Sequence, residues 1–203
     1  MIHNLFPTPV GRYELGRDLT AKELSFLKNQ ETRSNMGNTT STDNTILKAK
    51  ELTQLRDFIE TKVSDYFTTV YSPKHKVNLK ITQSWTNYTK QGQYHHKHEH
   101  PNSFVSGVFY IQADKTKDKI YFFRNGYQQI KLPPSDWNVW NSESWWFEVG
   151  TGDLILFPSS LTHMVQTVES DQTRISLSFN TFPVGSVGEE MDLTGLKLET
   201  AQG

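Results

Sequence analysis

The chain has 203 residues, 35% hydrophobic and 12% aromatic, enough for one domain with a packed core and too apolar for wholesale disorder. A net charge of -1 with no long basic run argues against phosphate-driven nucleic-acid binding and against membrane surfaces. Cysteine is absent, so disulfides and thiolate metal sites are excluded, and any metal must sit among nitrogen and oxygen ligands.

Residues 2–14 read as a short edge strand, restricted by Pro7 and Pro9. Met1 to Gly11 lacks a basic segment followed by an apolar run, and nothing later reaches the length of a membrane span. A cytoplasmic location is therefore expected. Thr20 and Glu23 have capping-box spacing before a helix over about 20–29. Residues 30–45, rich in Asn, Thr, Ser and Gly, read as a loop. A longer helix is expected over about 46–71, because Leu52, Leu55, Ile59, Val63, Tyr66, Phe67 and Val70 recur at steps of three and four.

From residue 77 the pattern changes to short β-branched and aromatic runs separated by turns. They fall at 77–88, 104–112, 119–124, 128–132, 145–149, 153–158, 162–168 and 173–182. Helices followed by about eight strands predict an α+β, mainly β fold built on a sandwich or jelly roll. One domain over 1–183 is expected, with helical support at about 20–71, a β core at about 77–183, and a loosely packed tail over 184–203.

Four of the seven histidines fall in His95-His96-Lys97-His98-Glu99-His100. Strand residues two apart share a face, so His98 and His100 can reach one metal ion while Glu99 points away. His96 has the same parity and rivals either. His163, five residues past Pro158, is the candidate third ligand from a distant strand. Imidazoles around open coordination positions suit Fe, Ni, Cu or Zn, and three neutral ligands favour an anionic co-substrate. Eleven residues further on, Arg174 opens an alternating run in which Arg174, Ser176, Ser178 and Asn180 oppose Ile175, Leu177 and Phe179. Arg174 with Ser176 makes a candidate carboxylate clamp: a bidentate guanidinium and a hydroxyl on one face.

Several stretches then resemble one family. They are Leu5-Phe6-Pro7-Thr8-Pro9-Val10, Ser84-Trp85-Thr86-Asn87, His98-Glu99-His100-Pro101-Asn102-Ser103 and Ser106-Gly107-Val108-Phe109-Tyr110. Gly152-Asp153-Leu154-Ile155-Leu156-Phe157-Pro158-Ser159, His163 and Arg174-Ile175-Ser176-Leu177-Ser178-Phe179-Asn180 follow in order. The set resembles the Fe(II)- and 2-oxoglutarate-dependent oxygenases, and more closely the small 2OG-Fe(II) oxygenases of bacteria and phages related to the prolyl 4-hydroxylases. The resemblance implies a double-stranded β-helix with iron at its mouth. It implies His98, His100 and His163 as ligands, although the wider superfamily has an acid where His100 stands. It also implies Fe(II) and 2-oxoglutarate as cofactor and co-substrate, O2 as oxidant, and hydroxylation of a protein side chain or small molecule with release of succinate and CO2.

By the same resemblance Arg174 holds the distal carboxylate, assisted by Tyr110 and by a residue lining the pocket, either Tyr88 or Asn87. Both tyrosines also suit ordinary aromatic packing. Trp137 and Trp140 flank a segment that can serve as a substrate lid or as a packed hairpin. A cupin-type three-histidine dioxygenase is the nearest alternative and leaves Arg174 unexplained. A non-catalytic jelly-roll binding module is the alternative from another class. Oligomeric state is not readable from the sequence.

Overall fold

The computed structural model describes residues 1–126, 130 and 132–199. The first strand, β1, is Gly11–Glu14, and the first helix, α1, is Ala21–Lys28. Helix α1 starts where expected: the Thr20 hydroxyl accepts from the Glu23 amide, and the Glu23 carboxylate accepts from the Thr20 amide. The stretch expected as a loop instead holds a hairpin, β2 (Thr32–Ser34) and β3 (Thr39–Ser41). Its tight turn uses Gly37 at φ 89, and β3 pairs with the next long strand. Turn-forming residues hid three-residue strands whose threonines suit an edge.

The long helix begins later than its apolar periodicity suggests. Ile46–Lys48 and Lys50–Leu52 form 3-10 turns, and only Thr53–Tyr71 is α-helical (α2). Leu52, Leu55, Ile59, Val63, Tyr66 and Phe67 are buried as the apolar stripe requires. Eight further strands follow: β4 (Val77–Thr89), β5 (His95–His98), β6 (Val105–Gln112), β7 (Lys119–Phe123), β8 (Ser144–Glu148), β9 (Asp153–Pro158), β10 (His163–Val165) and β11 (Arg174–Val187). The strand expected at 128–132 lies largely outside the described residues. The stretch expected as a tail begins inside β11, and Leu196–Leu198 (β12) pairs back on Gly185–Val187.

Two sheets result. The larger runs β1-β9-β6-β11-β4-β3-β2, with β12 at the far end of β11, and the smaller runs β5-β10-β7-β8. This is the expected mainly β jelly roll with helical support. The outer face of the large sheet buries Phe109, Leu154, Leu156, Ile175, Leu177 and Phe179 against Leu27, Leu52, Leu55, Ile59 and Val63. Between the sheets Val108, Tyr110, Ile120, Phe122, Ile155 and Phe157 form a second core. β11 is central to the large sheet, and its two-residue alternation sends Ile175, Leu177 and Phe179 to the helices and the polar residues between the sheets. Among the described residues, no helix is long and apolar enough to cross a membrane.

Candidate metal and carboxylate-binding site

β5 and β10 are antiparallel neighbours, with His98 directly opposite His163. His100 follows β5 and is tied in by its amide, which donates to the Ser159 carbonyl. The ligand nitrogens of His98, His100 and His163 lie within 4.8 Å of one another, and the two Nε2 atoms of His100 and His163 are 3.3 Å apart. Two ligands at right angles on an ion with metal–nitrogen bonds near 2.0–2.1 Å would stand about 3 Å apart. Each ring is anchored by its other nitrogen. Nδ1 of His98 lies 2.7 Å from the His96 carbonyl, that of His163 3.0 Å from the Leu161 carbonyl, and that of His100 2.7 Å from Asn180 Oδ1. All three acceptors require Nδ1–H, so the three Nε2 lone pairs turn inward, as a metal needs.

Burial keeps these imidazoles neutral. It lowers the pKa of His98, that of His100 to about 4 and that of His163 to about 3, each further lowered by its histidine neighbours. Trp85 stacks on His100 at 5.8 Å and Phe157 packs on His163, closing the sides of the site. Phe122, opposite His163 on β7, closes another.

The inner face of β11 leads away from the histidines. Ser178 lies opposite Trp85 and Val108, and Ser176 opposite Asn87 and Tyr110, with Arg174 beyond. Arg174 is 4% exposed, and neither its Nε nor its Nη1 has a hydrogen-bond partner among the described residues. The Tyr110 hydroxyl and Asn87 Oδ1 are also buried without a partner among the described residues. The guanidinium carbon stands 5.2 Å from the centre of the Tyr110 ring, a cation–π contact that does not satisfy the Nε and Nη1 hydrogens. Burial pushes the Tyr110 hydroxyl up to about 12, so it remains a donor at neutral pH. Unpaired donors beside a buried cation call for an anion. No carboxylate lines the cavity of about 20 Å3 between this end and the histidines among the described residues. That volume holds about one water, so a larger ligand enters only as lining side chains move.

The expected residues separate here. Asn87 and Tyr110 share the inner face with Arg174 and Ser176. Tyr88 does not: strand alternation places it in the helix-side core, where its hydroxyl donates to the Leu27 carbonyl at 2.6 Å. His96 does not join the first triad. It belongs to a second group with His95 and His98, but its Nδ1 is buried without a partner among the described residues, so no hydrogen bond from them orients the ring. His95 lines the cavity and was not expected to. It is three residues from His98, the wrong parity for a regular strand. A register shift in the β5–β10 pairing brings both to one side. Trp140 lines a separate cleft of about 710 Å3 with the 3–8 segment, Phe122 and Trp145. No site histidine lines it, and Trp137 lies outside its lining.

A jelly roll with inward Nε2 atoms and a buried guanidinium whose Nε and Nη1 lack partners among the described residues is an arrangement able to hold a metal ion beside an organic anion. Residues 83–180, which carry all of these site residues, match the family described as "Putative 2OG-Fe(II) oxygenase". The resemblance read from the sequence is thus borne out: over these residues the chain is similar to the 2OG-Fe(II) oxygenases. No curated protein matches the chain. Among solved structures, the fold is similar to a 2OG-Fe(II) oxygenase family oxidoreductase from Burkholderia pseudomallei, with 12% identity, TM-score 0.56, and 77% of this chain and 75% of that one covered. It is also similar to HygX from Streptomyces hygroscopicus with nickel and 2-oxoglutarate bound, with 13% identity, TM-score 0.58, and coverage of 95% and 92%. A third similarity is to SnoN, a non-haem α-ketoglutarate-dependent epimerase from nogalamycin biosynthesis, with 11% identity, TM-score 0.59, and coverage of 86% and 78%.

Proposed function

We propose that the chain is a non-haem Fe(II)- and 2-oxoglutarate-dependent oxygenase that hydroxylates a C–H bond of its prime substrate. The observation that carries this is the buried Arg174 and Tyr110, whose Nε, Nη1 and hydroxyl have no partner among the described residues, at one end of an inner face whose other end reaches three inward-facing Nε2 atoms. His98, His100 and His163 would hold the ion. Arg174 would receive the distal carboxylate of 2-oxoglutarate in a bidentate contact, with the Tyr110 hydroxyl and Ser176 as further donors. When bound, iron with 2-oxoglutarate and O2 supplies the oxidation that converts 2-oxoglutarate to succinate and CO2 and a substrate C–H to C–OH.

The chain's own share is binding and exclusion. Three neutral imidazoles add no negative charge, so the site favours a dianion. Trp85, Phe122 and Phe157 would keep bulk water from a bound ion, and no side chain is needed as a general base. The prime substrate would be a protein side chain or a small molecule, and the cleft lined by Trp140 and Trp145 would receive the part of it that lies away from the ion, with Trp140 as a lid residue. The neighbour described as an epimerase is a reason to test hydroxylation directly.

The test is anaerobic titration of 2-oxoglutarate into the Fe(II)-loaded protein, followed by the visible metal-to-ligand charge-transfer band. A saturable band is expected, and succinate should form once O2 is admitted. Iron binding without a band would overturn the 2-oxoglutarate assignment and leave a three-histidine metal dioxygenase. Failure to bind iron would leave a binding module.

A further inference from the structure

We propose that Asn180 is a positioning residue for the third metal ligand: its side-chain carbonyl holds His100 with Nε2 toward the ion, and its neutrality keeps the site receptive to a dianion. The inference rests on the three-histidine reading above. Asn180 is the last polar residue of the alternating run on β11, on the same face as Arg174, Ser176 and Ser178, and it lies opposite Ser106. It is 9% exposed.

Its Oδ1 is 2.7 Å from His100 Nδ1 and 3.0 Å from Ser106 Oγ. A carbonyl oxygen only accepts, so both partners donate. The proton of His100 is thereby held on Nδ1, leaving the Nε2 lone pair free, 3.3 Å from Nε2 of His163. Two such lone pairs facing each other repel unless a cation lies between them. Ser106 Oγ lies 2.8 Å from Ser159 Oγ, which lies 2.7 Å from Ser103 Oγ, and Ser103 is anchored to the Thr181 carbonyl at 3.2 Å. Asn180 therefore ends a run of three serine hydroxyls, two at or just before the start of β6 and one just past the end of β9. Flipping its amide would set Nδ2 donors against Ser106 and His100 and drive the imidazole proton to Nε2, where it would block the metal.

The acceptor's charge matters as much as its direction. A carboxylate in this place would make His100 a stronger donor but would put a negative charge behind it. With an amide here and an imidazole as third ligand, the ion's two positive charges stay available to the co-substrate.

The experiment compares full-length wild type with N180A and N180D. It follows Co(II) binding by its visible absorption, then 2-oxoglutarate binding to each Co(II) form by calorimetry. N180A should lose about 10–100-fold in Co(II) affinity, the usual effect of removing a ligand's orienting partner. N180D keeps an acceptor oxygen, so it should bind Co(II) at least as tightly as wild type. It should bind 2-oxoglutarate about tenfold more weakly, because one negative charge has been added within ~10 Å in a medium of effective dielectric near 20. A general loss of structure would weaken both ligands in both variants and could not give this opposite pair of effects. Wild-type Co(II) affinity in N180A, or N180D that fails to recover it, would overturn the proposal. If wild type binds Co(II) but not 2-oxoglutarate, the oxygenase reading fails, while the Co(II) affinities still decide the role of Asn180. If wild type takes up no Co(II), both fall.

Discussion

Replacing Arg174 by alanine separates what the guanidinium does for the fold from what it does for a ligand. Its Nε and Nη1 have no partners among the described residues and the residue is 4% exposed, so the guanidinium is a buried charge with little to hold it in the fold itself. Removing it should leave the melting temperature of the metal-loaded protein unchanged or raise it. Losing one partner of a buried, hydrogen-bonded ion pair costs about 3–5 kcal/mol, so 2-oxoglutarate should bind about 100- to 4000-fold more weakly. With Ni(II) in place of iron, thermal melts can be run in air. At 2-oxoglutarate about 100-fold above its Kd, wild type should gain ~2.7 kcal/mol, or about 5–11 °C for a domain of this size. At the same concentration R174A should gain less than ~0.5 kcal/mol, at most ~2 °C. A full ligand-induced shift in R174A would refute the carboxylate anchor. A variant that melts many degrees lower without ligand would show that the guanidinium supports the fold instead.

Tyr88→Phe should cost about 1 kcal/mol through its lost hydrogen bond to the Leu27 carbonyl, seen as a melting point ~2–4 °C lower. Its 2-oxoglutarate affinity should stay at wild type, and a tenfold loss would mean that Tyr88 reaches the pocket. Without metal, stability should be greatest above pH 6.5 and fall as the pH drops toward 4. The folded-state pKa of His100 (about 4) and that of His163 (about 3) lie below the ordinary value of 6.5, so protons bind the unfolded chain first. Chemical denaturation across pH 4–8 checks this, and a flat profile would contradict it. Gly107→Ala places a Cβ 2.1 Å from Phe179 Cζ in the helix-side core and should destabilise by about 1–3 kcal/mol, measured by urea unfolding. His163→Ala should weaken Co(II) binding by more than ~100-fold, beyond the effect of any orienting partner. A smaller loss in a titration would transfer the ligand role to His95.

What the sequence made legible follows from periodicity. Steps of three and four gave the buried face of α2, and steps of two put Arg174, Ser176, Ser178 and Asn180 on one side of a strand. The same rule left Tyr88 and Asn87 as rivals, because one residue of offset decides the face, and only the pairing of β4 with β11 fixes that offset. Breaks in periodicity were hidden. His95 reaches the cavity through a register shift that no residue type announces. The 3-10 turns at 46–52 bury Ile46, Leu47 and Leu52 much as a helix would, so their apolar pattern does not distinguish the two. The β2–β3 hairpin is polar because it lies at a sheet edge, where little apolar burial marks a strand.

Strand β11 behaves as a text with a reading frame. Its odd-numbered residues from 175 to 179 are the wall against the helices, and its even-numbered residues from 174 to 180 are the chemistry. Loss or gain of one residue within that stretch would exchange the two messages together, turning isoleucine, leucine and phenylalanine toward the metal and serines into the apolar core. Past Asn180 the frame is already interrupted, since the pairing with β4 shifts by one residue between Asn180 and Thr181. Length differences among related chains should therefore gather beyond Asn180 and spare the seven residues before that break.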